Sequence, residues 1–118
     1  YKAVAVINLD DFMLASQERD GDEILLAVVG TAKRVLGEDC VIFRWSLDEF
    51  TVLMEWSIEF GTEICRELCR EVEKNCQVTV SVGITEVRLT EPIKKHYHRA
   101  MQGCYLVKEM GGNGVKRL

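Results

Sequence analysis

Two short acidic segments of the chain have residue types that could hold a divalent metal ion. One is "NLDD" (8–11), which follows an apolar run, and the other is the adjacent pair Asp48 and Glu49 in "RWSLDEF". Mg²⁺ binds proteins through one or two carboxylates and completes its coordination with substrate phosphates and water. Acidic residues also gather in turns because turns are solvated. Spacing alone therefore leaves two alternatives open, a metal site or two ordinary turns.

The cysteines and histidines are weaker candidates for metal ligands. The chain has five cysteines, and an odd number without regular spacing indicates free thiols in a reducing compartment. Cys65 and Cys69 stand four apart in a helical stretch, but two thiolates alone do not make a structural zinc site, so we expect buried thiols. His96 and His98 lie near the predicted start of a helix, where histidines are usually solvated.

Alternating apolar residues predict the strands that would position the acidic segments. "YKAVAVINL" leads into the first acidic segment, with Val4 and Val6 on one face and Ala3, Ala5 and Ile7 on the other. Two further apolar runs flank "SLDE" and predict a hairpin. "QVTVSVGIT" is another strand, in which Gly83 indicates close approach of backbone or ligand. "GVKRL" at the C-terminus is a candidate edge strand.

Three segments have helical periodicity. The first runs over residues 21–37 and stops at Gly37, the second follows the hairpin, and the third runs from Pro92 to about Met110. The second pairs Glu and basic residues three apart, which predicts a solvated face. The first helix has two neighbouring apolar rows: one is Ile24, Val28 and Ala32, and the other is Leu25, Val29 and Leu36. The second helix has one apolar row, which is Ile64, Leu68 and Val72.

The order β-α-β-β-α-β followed by α-β predicts an α+β fold of the ferredoxin-like type. Such a fold has a mainly antiparallel central sheet with its helices on one face. It places the end of the first strand beside the hairpin, so 8–11 should approach Asp48 and Glu49. The length of 118 residues suits a single domain, 1–118. Because the chain begins at Tyr1, we expect it to be part of a longer protein.

Charge and hydropathy limit the partners. The net charge of −4 argues against nucleic acid as the main partner, since phosphate binding needs clustered Lys and Arg. No apolar run reaches the roughly 18 residues of a membrane span. We therefore expect a cytoplasmic domain that contacts neither nucleic acid nor membrane.

The chain resembles a GGDEF domain, the catalytic module of diguanylate cyclases, which join two GTP molecules into cyclic di-GMP. "VAVINLDDF" is similar to the family's strand ending D-x-D-x-F, and "GDEIL" to its G-D-x-x-L helix start. "RWSLDEF" stands in the place of R-[YF]-G-G-[DE]-E-F, and "VTVSVGIT" in that of V-T-[VI]-S-[IV]-G-[IV]. "CYLVKEMGGNGV" is similar to the ending L-Y-x-A-K-x-x-G-R-N-x-V. The resemblance covers the whole chain and implies a nucleotidyl-cyclase-like palm.

Some functional positions of the family are retained here. The resemblance implies that Asp48 is a metal-ligand position, with the catalytic-site residue Glu49 beside it. It implies that Asp22 reads guanine and that Lys108 contacts phosphate. Asp10 is also retained, although its family counterpart is not the principal ligand.

Other positions depart from the family pattern. The metal-binding Asp is Asn8, the phosphate-binding Lys is Met13, and the guanine-reading Asn aligns with Ser16. The two signature glycines are Ser46 and Leu47. The phosphate-contacting Arg near the C-terminus is Gly112, and the R-x-x-D product site has no counterpart.

The losses predict a catalytically degenerate GGDEF domain that serves as a regulatory or interaction module in bacterial signal transduction. Asn8 and Asp48 would then be weak or vestigial metal positions, and Glu49 a vestigial catalytic one. We expect no cofactor unless a nucleotide such as GTP binds with Mg²⁺. Its partners would be other domains of the same protein or a second copy. The alternatives are an active cyclase with rearranged ligands, and a dimerisation spacer.

Overall fold

Five strands form the single sheet of the computed structural model, which describes residues 1–118. They are β1 (Ala3–Leu9), β2 (Cys40–Arg44), β3 (Glu49–Met54), β4 (Val80–Glu86) and β5 (Gly114–Arg117). Their spatial order is β2-β3-β1-β4-β5. All neighbours are antiparallel except β4 and β5, which are parallel. The predicted mainly antiparallel sheet is confirmed, and the C-terminal segment is an edge strand as expected.

Four helices connect the strands: α1 (Phe12–Glu18), α2 (Gly21–Leu36), α3 (Ile58–Asn75) and α4 (Ile93–Glu109). The sequence predicted three of them but not α1, a short helix that begins after Asp11 turns the chain with φ 52°. Gly37 ends α2 with φ 72°, as its position suggested. Pro92 stands just before the first turn of α4 rather than within it. No helix combines the length and the apolar character needed to cross a membrane.

The sheet buries both of its faces. Ala3, Ala5 and Ile7 of β1 belong to the main core, which α2 and α3 cover. Val4 and Val6 point the other way and pack against α4. The predicted alternation is confirmed, but the expectation that all helices lie on one face is wrong. The physical reason is that both sides of β1 are apolar, as in sheets covered on both faces.

Gly83 marks the closest approach between the sheet and α4. A Cβ atom at this position would lie 1.7 Å from the Ala100 carbonyl oxygen and 2.4 Å from the Cys104 backbone nitrogen. The predicted close approach is confirmed, and the approaching group is helix backbone. Gly103 on α4 faces Gly83 from the other side, with its own ideal Cβ 3.0 Å from the Gly83 Cα. Two glycines therefore let α4 lie directly on β4.

The solvated face of α3 is formed largely as predicted. Arg66 pairs with Glu63, and Arg70 with Glu67, each three residues apart. Glu71 does not pair with Lys74 as its spacing suggested. Its carboxylate instead accepts from Arg34 of α2 at 2.9 Å, because α2 packs alongside α3 and brings a longer, forked donor within reach.

Four of the five cysteines are buried thiols, and Cys40 is half-buried. Cys65 and Cys69 do not converge on a metal site. Burial raises the pKa of Cys65, and burial together with nearby Asp10 raises the pKa of Cys69 to about 12. The Cys69 thiol donates weakly to backbone carbonyl oxygens at 3.6 and 3.7 Å. These residues act as small core side chains.

His96 is buried, with 2% of its surface exposed, so the expectation of a solvated histidine is wrong for this residue. Its Nε2 accepts a hydrogen bond from the Arg88 backbone N–H at 2.7 Å. The ring hydrogen is therefore assigned to Nδ1, which donates to the Pro92 carbonyl at 3.1 Å. The imidazole thus joins the loop after β4 to the start of α4. His98, by contrast, is exposed.

Replacing His96 by alanine is expected to lower the free energy of unfolding by about 1–3 kcal/mol, because the Arg88 backbone N–H loses its acceptor and a buried side chain is removed. Urea denaturation followed by circular dichroism measures this change. The matched control is His98→Ala, which should stay within about 0.5 kcal/mol of the unmodified chain. Equal effects of the two substitutions would contradict the assignment.

Candidate functional site

The end of β1 and the hairpin meet as the sequence predicted. Asn8 lies directly opposite Glu49 in the register between β1 and β3. The Leu9 backbone N–H donates to the Asp48 carbonyl oxygen at 2.9 Å. We call the group comprising 8–11, Asp48, Glu49 and Lys108 the β1-end site. The pairing of β1 with β3 is therefore enough to bring 8–11 next to Asp48 and Glu49.

The hairpin loop is closed by its own side chains. Arg44 donates from Nε to the Ser46 carbonyl at 3.0 Å and from Nη2 to the Leu47 carbonyl at 3.4 Å. The Ser46 hydroxyl donates to Asp48 Oδ1 at 3.2 Å. The Leu47 side chain is 61% exposed. Ser46 and Leu47 stand in place of the two family glycines. Ser46 therefore supplies a hydrogen-bond partner for the Asp48 carboxylate, and Leu47 places an exposed apolar side chain in the loop.

Glu49 is held by an aromatic residue of α4. The Tyr97 hydroxyl donates to Glu49 Oε2 at 2.8 Å. Burial raises the pKa of Tyr97 to about 12, and the hydrogen bond to the Glu49 carboxylate adds to the effect. Trp45 lies edge-on to Tyr97, with ring centroids 6.1 Å apart. The arrangement fixes the carboxylate of Glu49 against the sheet.

Asp10 is the most fully bonded carboxylate of the β1-end site. Its Oδ1 accepts from Ser81 Oγ at 2.7 Å and from Lys108 Nζ at 3.0 Å. Its Oδ2 accepts from Thr79 Oγ1 at 2.8 Å and from the Asn113 backbone N–H at 2.9 Å. Burial opposes ionisation, but these hydrogen bonds outweigh it and hold the pKa of Asp10 below its ordinary value of 3.8. Four donors fill the lone-pair capacity of one carboxylate.

Lys108, a predicted phosphate contact, has two partners within the chain. Besides Asp10, its ammonium group donates to the Leu9 carbonyl at 3.3 Å. The turn after α4 closes over the same carboxylate. Gly112 adopts φ 80°, and a Cβ there would lie 2.8 Å from Asp10 Oδ2. The position that carries arginine in the family pattern is thus shaped here for glycine.

Ser16 and Asp22 stand on the two helices that follow β1, α1 and α2 respectively. Asp22 is exposed at the first turn of α2, where its backbone N–H donates to the Asp20 carboxylate at 2.9 Å. It lines a mainly apolar cavity of about 540 Å³ that also reaches Arg44 and Phe50. The Ser16 hydroxyl donates to the Met13 carbonyl at 3.0 Å, and the Ser16 Cβ lies 3.3 Å from the position of an ideal Cβ at Gly21, the residue before Asp22. The two predicted guanine contacts thus stand on adjoining turns of α1 and α2, and their role in binding guanine stays a prediction.

The donor groups around Asn8 do not fit a Mg²⁺ site. Asn8 offers a neutral amide, Asp48 already has a hydroxyl partner, and Glu49 accepts from Tyr97. No three His, Cys, Asp or Glu side chains converge on a common point. Mg²⁺ needs near-octahedral oxygen ligands with negative charge close by. No reaction step is therefore assigned to a metal ion.

The family comparison supports the sequence resemblance. The model for the family described as "Diguanylate cyclase, GGDEF domain" matches residues 2–114 of the chain. The chain belongs to the GGDEF family. A search among curated proteins finds no match. GGDEF domains are a family of cyclic di-GMP signalling.

Solved GGDEF structures have the same fold. The GGDEF domain of DgcB from Caulobacter crescentus, in complex with c-di-GMP, is 21% identical with a TM-score of 0.90, over 98% of this chain and 77% of that one. The active GGEEF domain of a diguanylate cyclase from Vibrio cholerae is 20% identical, with a TM-score of 0.88, over 98% and 81%. SiaD from Pseudomonas aeruginosa, in complex with its activator SiaC, is 21% identical, with a TM-score of 0.90, over 99% and 50%. At these identities the likeness establishes the fold alone, and it confirms the predicted palm.

Sequence reasoning missed the two side-chain contacts that define this GGDEF site, Asp10 with its four donors and Glu49 with Tyr97. A signal for the first was present. Thr79 and Ser81 alternate on one face of the predicted strand "VTVSVGIT", and Asp10 ends the neighbouring strand. No local pattern indicated the second, because Tyr97 lies 48 residues from Glu49 along the chain.

Proposed function

We propose that this GGDEF domain is catalytically degenerate and serves as a regulatory or interaction module in bacterial signal transduction. The observation that carries the proposal is the closed network around Asp10. Asp10 is the retained family carboxylate at the end of β1, and all of its acceptor capacity is taken by protein donors. An active cyclase in which Asp10 substitutes for the lost ligand would first have to break this network.

Charge balance points the same way. A bound triphosphate carries roughly four negative charges, which metals and cationic side chains must offset. Asn8 contributes no charge, Met13 replaces a lysine, and the charge of Lys108 is already offset by Asp10. Loss of a ligand should lower metal affinity by at least about 10–100-fold. Each lost charged hydrogen bond to phosphate removes roughly 1.5–3 kcal/mol more.

A role in protein contacts has a parallel in the family. The structure of SiaD was solved in complex with its activator SiaC, so at least one protein of this fold binds a regulatory partner. The cavity that Asp22 lines is the candidate site for weak binding of GTP in the presence of Mg²⁺. Calorimetric titration separates these roles. Saturation below millimolar GTP would favour a nucleotide sensor, and a flat titration would favour a module that acts through protein contacts.

Incubation of the chain with GTP and Mg²⁺ or Mn²⁺ is expected to yield no cyclic di-GMP, because the family's metal-binding Asp and two of its phosphate contacts are replaced here by Asn8, Met13 and Gly112. Chromatography of the nucleotides measures the product. The GGEEF domain from Vibrio cholerae, whose structure is described as that of an active domain, is the positive control. Turnover comparable to that of the control would overturn the proposal.

The substitutions Asn8→Asp and Met13→Lys test the rearranged-cyclase alternative. With the Asp10 network intact, the doubly substituted chain is expected to remain inactive. If the chain is instead a cyclase with rearranged ligands, including Asp11 in place of Asn8, the two substitutions should raise its activity. A gain of cyclic di-GMP synthesis in the same assay would therefore favour the alternative.

A further inference from the structure

β2 is an edge strand whose central residues lack the usual protection. Natural sheets guard their edges with lysine, proline or a covering element. β5, the other edge, carries Lys116 and Arg117 in its four residues. β2 reads "CVIFR", and Val41 and Phe43 are 36% and 44% exposed. The edge is therefore apolar where a solvent-facing edge is normally charged.

The hydrogen-bonding pattern shows which β2 backbone groups face outward. The Trp45 N–H donates to the Glu49 carbonyl at 3.1 Å. Hydrogen-bonded pairs alternate along antiparallel strands, so Phe43 and Val41 also bond to β3. The N–H and C=O groups of Cys40, Ile42 and Arg44 are left pointing away from the sheet. They form a short row with both donors and acceptors.

We propose that β2 pairs antiparallel with β2 of a second copy of this chain, about a two-fold axis at Ile42. This register joins outward-pointing groups only, because Ile42 meets its own counterpart and Cys40 meets Arg44. On the other face Val41 lies opposite Phe43 of the second copy. The two five-stranded sheets then become one continuous sheet of ten strands.

Charge selects a second copy as the occupant. The exposed acidic residues Glu38 and Asp39 immediately precede β2, and Arg44 ends it. Antiparallel self-pairing places the acidic end of each strand beside the basic end of the other. The apolar centre and oppositely charged ends are thus self-complementary, as an interface with two-fold symmetry requires.

The same pairing would extend the aromatic groove beside β2, because Val41 and Phe43 of the second copy would lie on the same face of the continuous sheet. This groove of about 620 Å³ lies between β2, β3 and α4 and includes Phe43, Trp45 and Tyr97. Trp45 is 61% exposed, and its ring is stacked near Phe43 with centroids 6.3 Å apart. The proposed dimer names a second copy of this chain as the partner in the interaction role proposed above. Formation of the dimer does not depend on whether the domain turns over GTP.

The register can be tested by forming a disulfide. In a hydrogen-bonded antiparallel pair the opposed Cα atoms are about 5.5 Å apart, which is within the range for a disulfide. The substitution Arg44→Cys should therefore give a covalent dimer with the native Cys40 of the second copy under mild oxidation. Non-reducing electrophoresis measures the product. Circular dichroism verifies that the substituted chain is folded.

The matched control is Arg44→Cys combined with Cys40→Ser, which should remain uncrosslinked because the two introduced thiols are far apart in this register. The other four cysteines are buried. Sedimentation of the unmodified chain should show a reversible dimer, and Val41→Lys should shift it toward monomer. A monomer at millimolar concentration, or a dimer that Arg44→Cys does not crosslink, would overturn the proposal. The first outcome would leave β2 to a strand from another protein, and the second would place the interface elsewhere.

Discussion

Replacing Gly83 by alanine is expected to lower the free energy of unfolding by more than about 4 kcal/mol, which is enough to unfold many small domains. The added Cβ would lie 1.7 Å from the Ala100 carbonyl oxygen and 2.4 Å from the Cys104 nitrogen. Both are backbone atoms of α4, so no side-chain rotation can relieve the overlap. The helix would have to lift from the sheet, which would expose Val4, Val6 and their partners. Thermal and urea unfolding, followed by circular dichroism, measure the effect.

Gly30 provides the matched control for the same chemical change. It lies within α2, and no atom stands within 4 Å of its ideal Cβ. Gly30→Ala is therefore expected to stabilise the domain by roughly 0.5–1 kcal/mol, since alanine loses less backbone entropy in a helix. If both substitutions changed stability by similar amounts, the close packing of α4 on β4 would be wrong.

The substitution Asp10→Asn is expected to cost about 1.5–3 kcal/mol, the range for a hydrogen bond to a charged group, because the ion pair of Asp10 with Lys108 is partly exposed. Asparagine would remove the charge that pairs with Lys108 and would turn the N–H donors of its amide toward groups that are themselves donors. Its effect on unfolding in urea can be compared with that of Asp11→Asn. Asp11 is exposed, its side chain makes no cap hydrogen bond, and asparagine tolerates its positive φ. The control should stay within about 0.5 kcal/mol.

Asp10 also predicts how stability depends on pH. Its pKa in the folded chain lies below the ordinary value of 3.8, so the folded state favours the ionised carboxylate. The contribution is complete above the unfolded pKa and disappears as the pH falls through the folded one. The stability difference between the unmodified chain and Asp10→Asn should therefore shrink as the pH is lowered below 3.8. A difference that stayed constant over that range would argue against the network around Asp10.

Residue alternation and helical spacing were enough to predict most of the architecture. Val4 and Val6 lie opposite Ala3 and Ala5 because strand geometry dictates it, and Gly37 ends α2 because few other residues adopt its backbone angles. The contact between Asn8 and Glu49 followed from topology alone, since a central strand beside a hairpin has few registers. These features depend on local chemistry or on strand order, both of which are readable in the sequence.

What could not be predicted depends on contacts between distant segments. The strand pattern shows that β1 has two apolar faces, but it does not show which helix covers each face. The predicted position of α4, on the same face as the other helices, was therefore wrong. Glu71 had an available partner three residues away, yet Arg34 of a neighbouring helix takes it. The charge of Lys108 was recognised, but its pairing with Asp10 spans 98 residues. Family motifs indicate which positions matter, whereas the neighbours of those positions decide what each one does.

The buried cysteines can report when the folded chain opens, because they become reactive only when the core is exposed. The cysteine thiolate is the nucleophile that attacks a thiol reagent, so a thiol must be both deprotonated and accessible to be labelled. Cys40 is half-buried and should react early, whereas Cys65, Cys69, Cys76 and Cys104 are enclosed in the core. Their modification must wait for the surrounding layers to separate. Counting labels by mass spectrometry over time would thus distinguish local fraying at β2 from cooperative disassembly of the whole fold.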